Sequence, residues 1–234
     1  MHHSHSEDHF QGSDTIRDLV IGMSDGLTVP FALTAGLSGA VSTNTIVITA
    51  GIAEIIAGSI AMGLGGYLAG KTEYDHYFAE LKREYDEVER VPEREKQEIE
   101  EILDGYGISE RVKKEFVNEL AVDKKKWVEF MMKFELCLEE PAASRARNSA
   151  MTIAGAYVVG GMVPLSSYFF TSTPVHGLYY SAGVTVVALL LFGYFKSKAT
   201  GQKPLPGALK TMLIGALAAT AAFVIARLVS SIGA

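Results

Sequence analysis

Charge is confined to one stretch of this chain, and that confinement limits the possible folds more than any other feature. Of 27 acids and 21 bases, 21 acids and 15 bases lie between Lys71 and Arg147. The remainder is nearly uncharged and divides into apolar runs long enough to cross a hydrocarbon core of about 30 Å. A soluble globule spreads its charge over its whole surface, so the pattern argues against one. It predicts an all-α, polytopic membrane protein with five transmembrane helices and one charged insert. The net charge of −6 arises almost wholly in that insert, which makes nucleic acid a poor partner and cations a better one.

The spans read as about Leu19 to Val41, Ile46 to Gly70, Ser149 to Phe170, Gly177 to Phe195 and Gly207 to Val229. The domains are then 1–18, an N-terminal segment; 19–70, the first two spans; 71–147, the insert; and 148–234, the last three spans. The first residues, MHHSHSEDHF, lack the basic flank and apolar core of a cleavable signal peptide. Their His2, His3, His5 and His9 read either as a metal-binding tract or as a disordered tail. Cys137 is the single cysteine, so no internal disulfide forms.

Orientation follows from lysine and arginine in the short loops. The links 42–45 and 171–176 carry neither, whereas 196–210 carries four lysines. Five spans then place the N-terminus and the insert in the cytosol and the C-terminus across the membrane. Arg227, near the far end of the last span, can snorkel to the interface. Gly58, Ala61, Gly65 and Ala69 in the second span, and Gly215, Ala219 and Ala222 in the fifth, suit close helix packing or dimer contact, although in the fifth span they equally reflect how common such residues are in membrane helices.

The second span runs with no helix breaker after Gly70 into KTEYDHYFAELKREYDEVER, so one helix is expected to leave the membrane and continue. The insert reads as three helices. The first has its apolar stripe at Tyr74, Phe78, Leu81, Tyr85 and Val88 and ends at Pro92. The second runs from about Glu93 to Asp104, with Ile99, Ile102 and Leu103 inward. The third runs from about Ser109 to Glu140, with Phe116, Leu120, Trp127, Met131, Phe134 and Leu138 inward.

Three residues in the spans stand out. Asp25 sits near Pro30, which removes a backbone hydrogen bond from the first span. Glu54 is the single carboxylate of the second span, and Met62 lies about two turns, roughly 12 Å, further along. An ionisable group at the centre of a span costs at least about 2.5–3.5 kcal/mol and usually marks an ion or proton route. In the insert, Glu84 and Glu87 are three apart, as are Glu95 and Glu98, while Met131, Met132 and Glu135 fall within a turn. Acids in register with a core face repel unless a cation joins them. Carboxylates suit Mg(II), Ca(II) or Mn(II), and thioether tilts the set toward softer transition ions. The alternative is a solvated acidic face with Met131 as core filling.

The strings MSDGLTVPFALTAGLSG and AEIIAGSIAMGLGGYLA, with the acidic insert, resemble the vacuolar iron transporter family, and most its plant members. The similarity covers the chain from about Asp14 onward. It implies a homodimer of the vacuolar membrane that exchanges cytosolic Fe(II), and Mn(II) with it, for lumenal protons. By matching motif, Asp25, Glu54 and Met62 resemble the translocation path. Glu84, Glu87, Glu95, Glu98, Met131, Met132 and Glu135 resemble the cytosolic metal-binding set, whose expected cations extend to Co(II), Ni(II) and Zn(II). A dimer also answers a need of the residues themselves, because one Asp25 and one Met62 are few ligands for a dehydrated Fe(II), and a two-fold axis along a pore doubles both. Two other classes remain. A tethered di-iron enzyme would need Glu-x-x-His motifs, and the insert's only histidine, His76, is not in one. A passive metal channel or a metal-sensing scaffold would make Glu54 structural.

Overall fold

The computed structural model describes residues 13–232. His2, His3, His5 and His9 lie outside them, as do the side chains of Ala219, Ala222 and Arg227. Every regular element among the described residues is an α-helix: α1 (Ser13–Ser38), α2 (Asn44–Arg90), α3 (Pro92–Gly105), α4 (Glu110–Leu120), α5 (Lys124–Phe134), α6 (Arg145–Phe169), α7 (Pro174–Ala199) and α8 (Pro204–Ile232). Five of these, α1, α2, α6, α7 and α8, are long and apolar enough to cross a membrane. Their outward residues agree with that: Ile56, Ile60 and Leu64 of α2 are 55%, 57% and 58% exposed. In water such a ridge would drive association, whereas lipid chains solvate it. α2 is the expected unbroken helix, 47 residues long.

The chain packs as two units, one made of the residues up to Tyr67 with those from Ala146, the other of Leu68–Arg145. In the first, α6 is gripped by α1 and α2 through glycines. A Cβ at Gly22 or Gly26 would run into the carbonyls of Ile153 and Tyr157, and one at Gly160 into the backbone of Gly26. α1 and α6 therefore cross with their backbones in contact, an approach only glycine permits. Val47, Ile55, Leu165 and Tyr168 form an apolar core between α2 and α6. The turn after α1 is fastened to the end of α6. Ser38 Oγ and the Tyr168 hydroxyl share a hydrogen bond of 2.8 Å, and the Asn44 amide donates to the Tyr168 carbonyl at 3.0 Å. α1 continues through Pro30, where the Thr34 hydroxyl donates to the Pro30 carbonyl at 2.8 Å. α7 and α8 pack on each other and both pack on α1.

The second unit closes over Val88, Ile99, Val117, Trp127, Val128, Met131 and Met132. α3 starts where sequence chemistry favours it, with Pro92 at its first position and Glu93 and Glu95 in the first turn beside the positive end of the helix dipole. One expectation changes here. The stretch expected as a single helix from Ser109 to Glu140 is two helices, and it ends at Phe134. The break falls at 121–123, where the Asp123 side chain accepts hydrogen bonds from the amides of Lys125 and Lys126 at 3.1 and 3.3 Å and starts α5 anew. The restart shifts the inward face: Val117 and Val128 are buried, while Phe116 and Phe134 are 38% and 45% exposed. The insert is thus built from the α2 extension and three further helices. The buried stem of Lys113 brings its ammonium to Asp104 and, at 2.6 Å, to Glu110, so α3 and α4 are pinned together.

Candidate functional site

Two groups of chemistry-bearing side chains emerge, one in each unit. In the Leu68–Arg145 unit, Glu84 of α2, Glu95 of α3 and Glu135 at the end of α5 converge, with one carboxylate oxygen from each lying within 4.8 Å of the others. Glu84 and Glu95 are each only 2% exposed. They are buried because they sit one turn from Val88 and Ile99 on the faces that close the core. Glu135 reaches them because α5 ends at Phe134 and the chain turns there, with the Glu135 amide bonded to the Met131 carbonyl at 3.0 Å.

The electrostatics of this cluster are adverse without a cation. Burial, then the charges of Glu135, Glu95 and Glu87, push the Glu84 carboxyl up to about 7. Burial, then Glu98, Glu87 and Glu135, push Glu95 to about 7 as well. Glu135 is raised by burial and by Glu98 and Glu87. One oxygen of Glu84 and one of Glu95 are buried with no hydrogen-bond partner. Arg83 pairs with Glu80 at 2.7 Å and faces Glu87 at 3.7 Å, and Arg94 pairs with Glu98 at 3.1 Å. Among the described residues these bases form ion pairs only with the flanking acids, and their charges offset only part of the rise, Arg83 at Glu84, Arg94 at Glu95 and both at Glu135. Two buried, unpaired oxygens, from Glu84 and Glu95, with a carboxylate oxygen of the exposed Glu135 within 4.8 Å of the group, form a donor set that fits a hard or borderline divalent cation.

Of the seven insert residues singled out, the structure therefore joins Glu84, Glu95 and Glu135, with Glu87 and Glu98 within electrostatic reach. Met131 and Met132 are 0% and 2% exposed and belong to the apolar core, so packing accounts for their burial.

In the other unit the span residues are held by α1, α2 and α6. Glu54 accepts a hydrogen bond of 2.5 Å from the Tyr157 hydroxyl, and its second oxygen is buried and unpaired. Tyr157 is 2% exposed, and its ring lies where a side chain at Gly58 would be, one helical turn after Glu54. Gly26, the neighbour of Asp25, abuts the Tyr157 backbone. Tyr157 thus links the surroundings of Asp25 to Glu54. Met62 is half-buried on α2. Sequence reasoning missed Tyr157, although a phenol in mid-span within GAYVVGG was a usable signal, since a hydroxyl in hydrocarbon needs an acceptor.

Residues 16–227 match the VIT family. The chain belongs to the VIT family. It is 54% identical over 228 residues to vacuolar iron transporter 1 of Tulipa gesneriana, covering 97% of this chain and 92% of that one. It is 52% identical over 225 residues to vacuolar iron transporter 1 of Arabidopsis thaliana, covering 96% and 90%. Protein CCC1 of Saccharomyces cerevisiae is 43% identical over 234 residues, covering 94% and 71%. The matched stretch of this VIT-family chain takes in both units and both groups of acids.

Proposed function

We propose that this chain moves Fe(II), and Mn(II) with it, from the cytosol into an acidic vacuole in exchange for protons, working as a homodimer with the insert on the cytosolic side. The vacuolar iron transporters it is similar to support the cargo and the compartment. The observation that carries the mechanism is Glu54: an acid inside an apolar span, with one oxygen held by Tyr157 and the other buried and unpaired.

A carboxylate surrounded by hydrocarbon persists only with a proton or a cation. Proton and metal then compete for the same oxygen, and each displaces the other. A compartment rich in protons on one side drives the exchange. Tyr157 fixes which Glu54 oxygen is free, Asp25 supplies a second carboxylate from α1, and the Met62 thioether favours Fe(II) over Mg(II) and Ca(II). A two-fold axis would double these ligands, and the lipid-exposed side of α2, where Ala57, Ala61 and Gly65 recur every fourth residue, supports close approach of a second copy. Glu84, Glu95 and Glu135, with Glu87 and Glu98 around them, would bind Fe(II), Mn(II) or other divalent transition ions in the cytosol. Met131 and Met132 would then shape that pocket as well as fill the core.

The test is metal uptake by the full chain in acid-loaded liposomes with internal pH followed simultaneously. The wild type should take up Fe(II) as protons leave, and Asp25→Asn should reduce uptake to the protein-free background while the protein stays folded. Metal movement by Asp25→Asn in step with proton efflux would remove the role assigned to that residue. Wild-type uptake indifferent to the pH gradient would replace exchange by a passive route.

A further inference from the structure

In the Leu68–Arg145 unit most bases face an acid, as Arg83, Arg94, Arg111, Lys113 and Lys124 do. At the junction of α7 and α8 the situation is reversed. Among the described residues no carboxylate pairs with Lys196, Lys203 or Lys210. These three lysines line one cavity of about 530 Å³, together with Thr200, Gln202, Pro206 and Ile214. A second cavity of about 570 Å³ shares Lys196 and Thr200 with it and is otherwise walled by Ile16, Val20 and Ile21 of α1 and Ala199 of α7, with Arg17 beside them. Arg17 already faces Asp14 at 3.4 Å, so the uncommitted charge is that of the three lysines. A largely apolar slot thus adjoins, at Lys196 and Thr200, a cavity lined by three lysines that have no carboxylate partner among the described residues, on helices that are themselves candidate membrane spans.

We propose that the groove formed by α1, α7 and α8 binds one acidic glycerophospholipid, its phosphate held by Lys196, Lys203 and Lys210 and an acyl chain lying on Ile16, Val20, Ile21 and Ala199. Each half of the groove excludes a simpler occupant. A free phosphate would use the lysines and leave the apolar wall bare, and an uncharged lipid would leave the lysines uncompensated. A lipid with a phosphate head reaches both halves by sliding in from the bilayer. Acidic lipids attract basic residues at a membrane surface generally. What is specific here is that Lys196 belongs to both cavities while Lys198, on the same last turn of α7, lines neither.

The full chain purified in detergent should be titrated with phosphatidic acid, with phosphatidylcholine of the same chains, and with inorganic phosphate, bound lipid being counted by native mass spectrometry. One phosphatidic acid per chain should bind, with the other two probes at least about tenfold weaker. At about one surface charge contact per lysine, Lys196→Gln with Lys203→Gln should weaken binding about thirtyfold. Ala199→Trp fills the apolar wall without touching a charge and should also displace the lipid, whereas Lys198→Gln should change nothing. Equal losses from Lys198→Gln and Lys196→Gln would show undirected surface attraction and overturn the site. Equal binding of phosphatidylcholine, full competition by inorganic phosphate, or no effect of Ala199→Trp would each overturn the assignment of an acidic phospholipid.

Discussion

At Glu84 and Glu95 two demands oppose each other. The core faces of α2 and α3 bury these side chains, and burial beside other acids favours the protonated form, so both titrate near 7 instead of at the ordinary 4.5. Between those two values the folded protein free of metal holds more protons than the unfolded chain. The stabilisation from this uptake is complete below about 4.5 and is lost as pH rises through about 7. A divalent cation bound there would reverse the trend, because it would take the deprotonated oxygens and grow more effective as protons leave. Protection factors of the α3 and α5 amides, taken relative to the intrinsic exchange rate at each pH, should therefore fall in the metal-free full chain from pH 5 to pH 7.5. Mn(II) should restore protection at pH 7.5 and have little effect at pH 5. Glu84→Gln should flatten the metal-free pH trend and weaken Mn(II) binding about tenfold or more, a loss of at least ~1.4 kcal/mol. An unchanged affinity in Glu84→Gln would remove the cluster as a metal site.

Elements in this protein are delimited by small chemical signals as much as by apolar pattern. The restart at Asp123 is the clearest case: no proline or glycine interrupts 109–134, yet a single capping carboxylate divides it into α4 and α5. That division turns Trp127 and Val128 inward and leaves Glu135 at the end of a short helix, where it meets Glu84 and Glu95. Asp123→Ala should cost about 0.5–2 kcal/mol. It should lower hydrogen-exchange protection at the start of α5, and it should loosen metal binding indirectly through Glu135. Normal protection at the α5 start would mean that packing alone sets that boundary. The glycines of α1 and α6 act at the same scale. Their value is legible only once Gly22, Gly26 and Gly160 are seen to lie at one crossing, since each helix alone shows merely a small residue in an apolar run.

For the whole molecule, the bilayer is the solvent that makes the exposed apolar ridges stable, and basic loops decide which way the spans thread it. The 171–176 link has no lysine or arginine and the 196–210 link has four lysines, so the two should lie on opposite sides. With Cys137 replaced by serine, single cysteines at Thr173 and Gln202 should react with an impermeant reagent from opposite faces of sealed vesicles. Labelling of both from one face would end the five-span arrangement.

The residues alone determined the helical class of this protein and its five candidate spans, because insertion depends on a sum of transfer free energies over about twenty consecutive positions, a local quantity that no distant contact alters. The same locality let four acids be marked as anomalous, Asp25 and Glu54 as charges inside apolar spans and Glu84 and Glu95 as charges in register with a core face. Only the tertiary structure decided which of them meet. That Tyr157 of α6 holds Glu54 of α2, and that Glu135 joins Glu84 and Glu95 while Met132 turns into the core beside Met131, depends on how helices far apart in the chain are rotated against one another. Rotation of that kind is set by packing at crossings such as Gly26 against Tyr157 and by a cap such as Asp123, and neither leaves a periodic trace in the sequence.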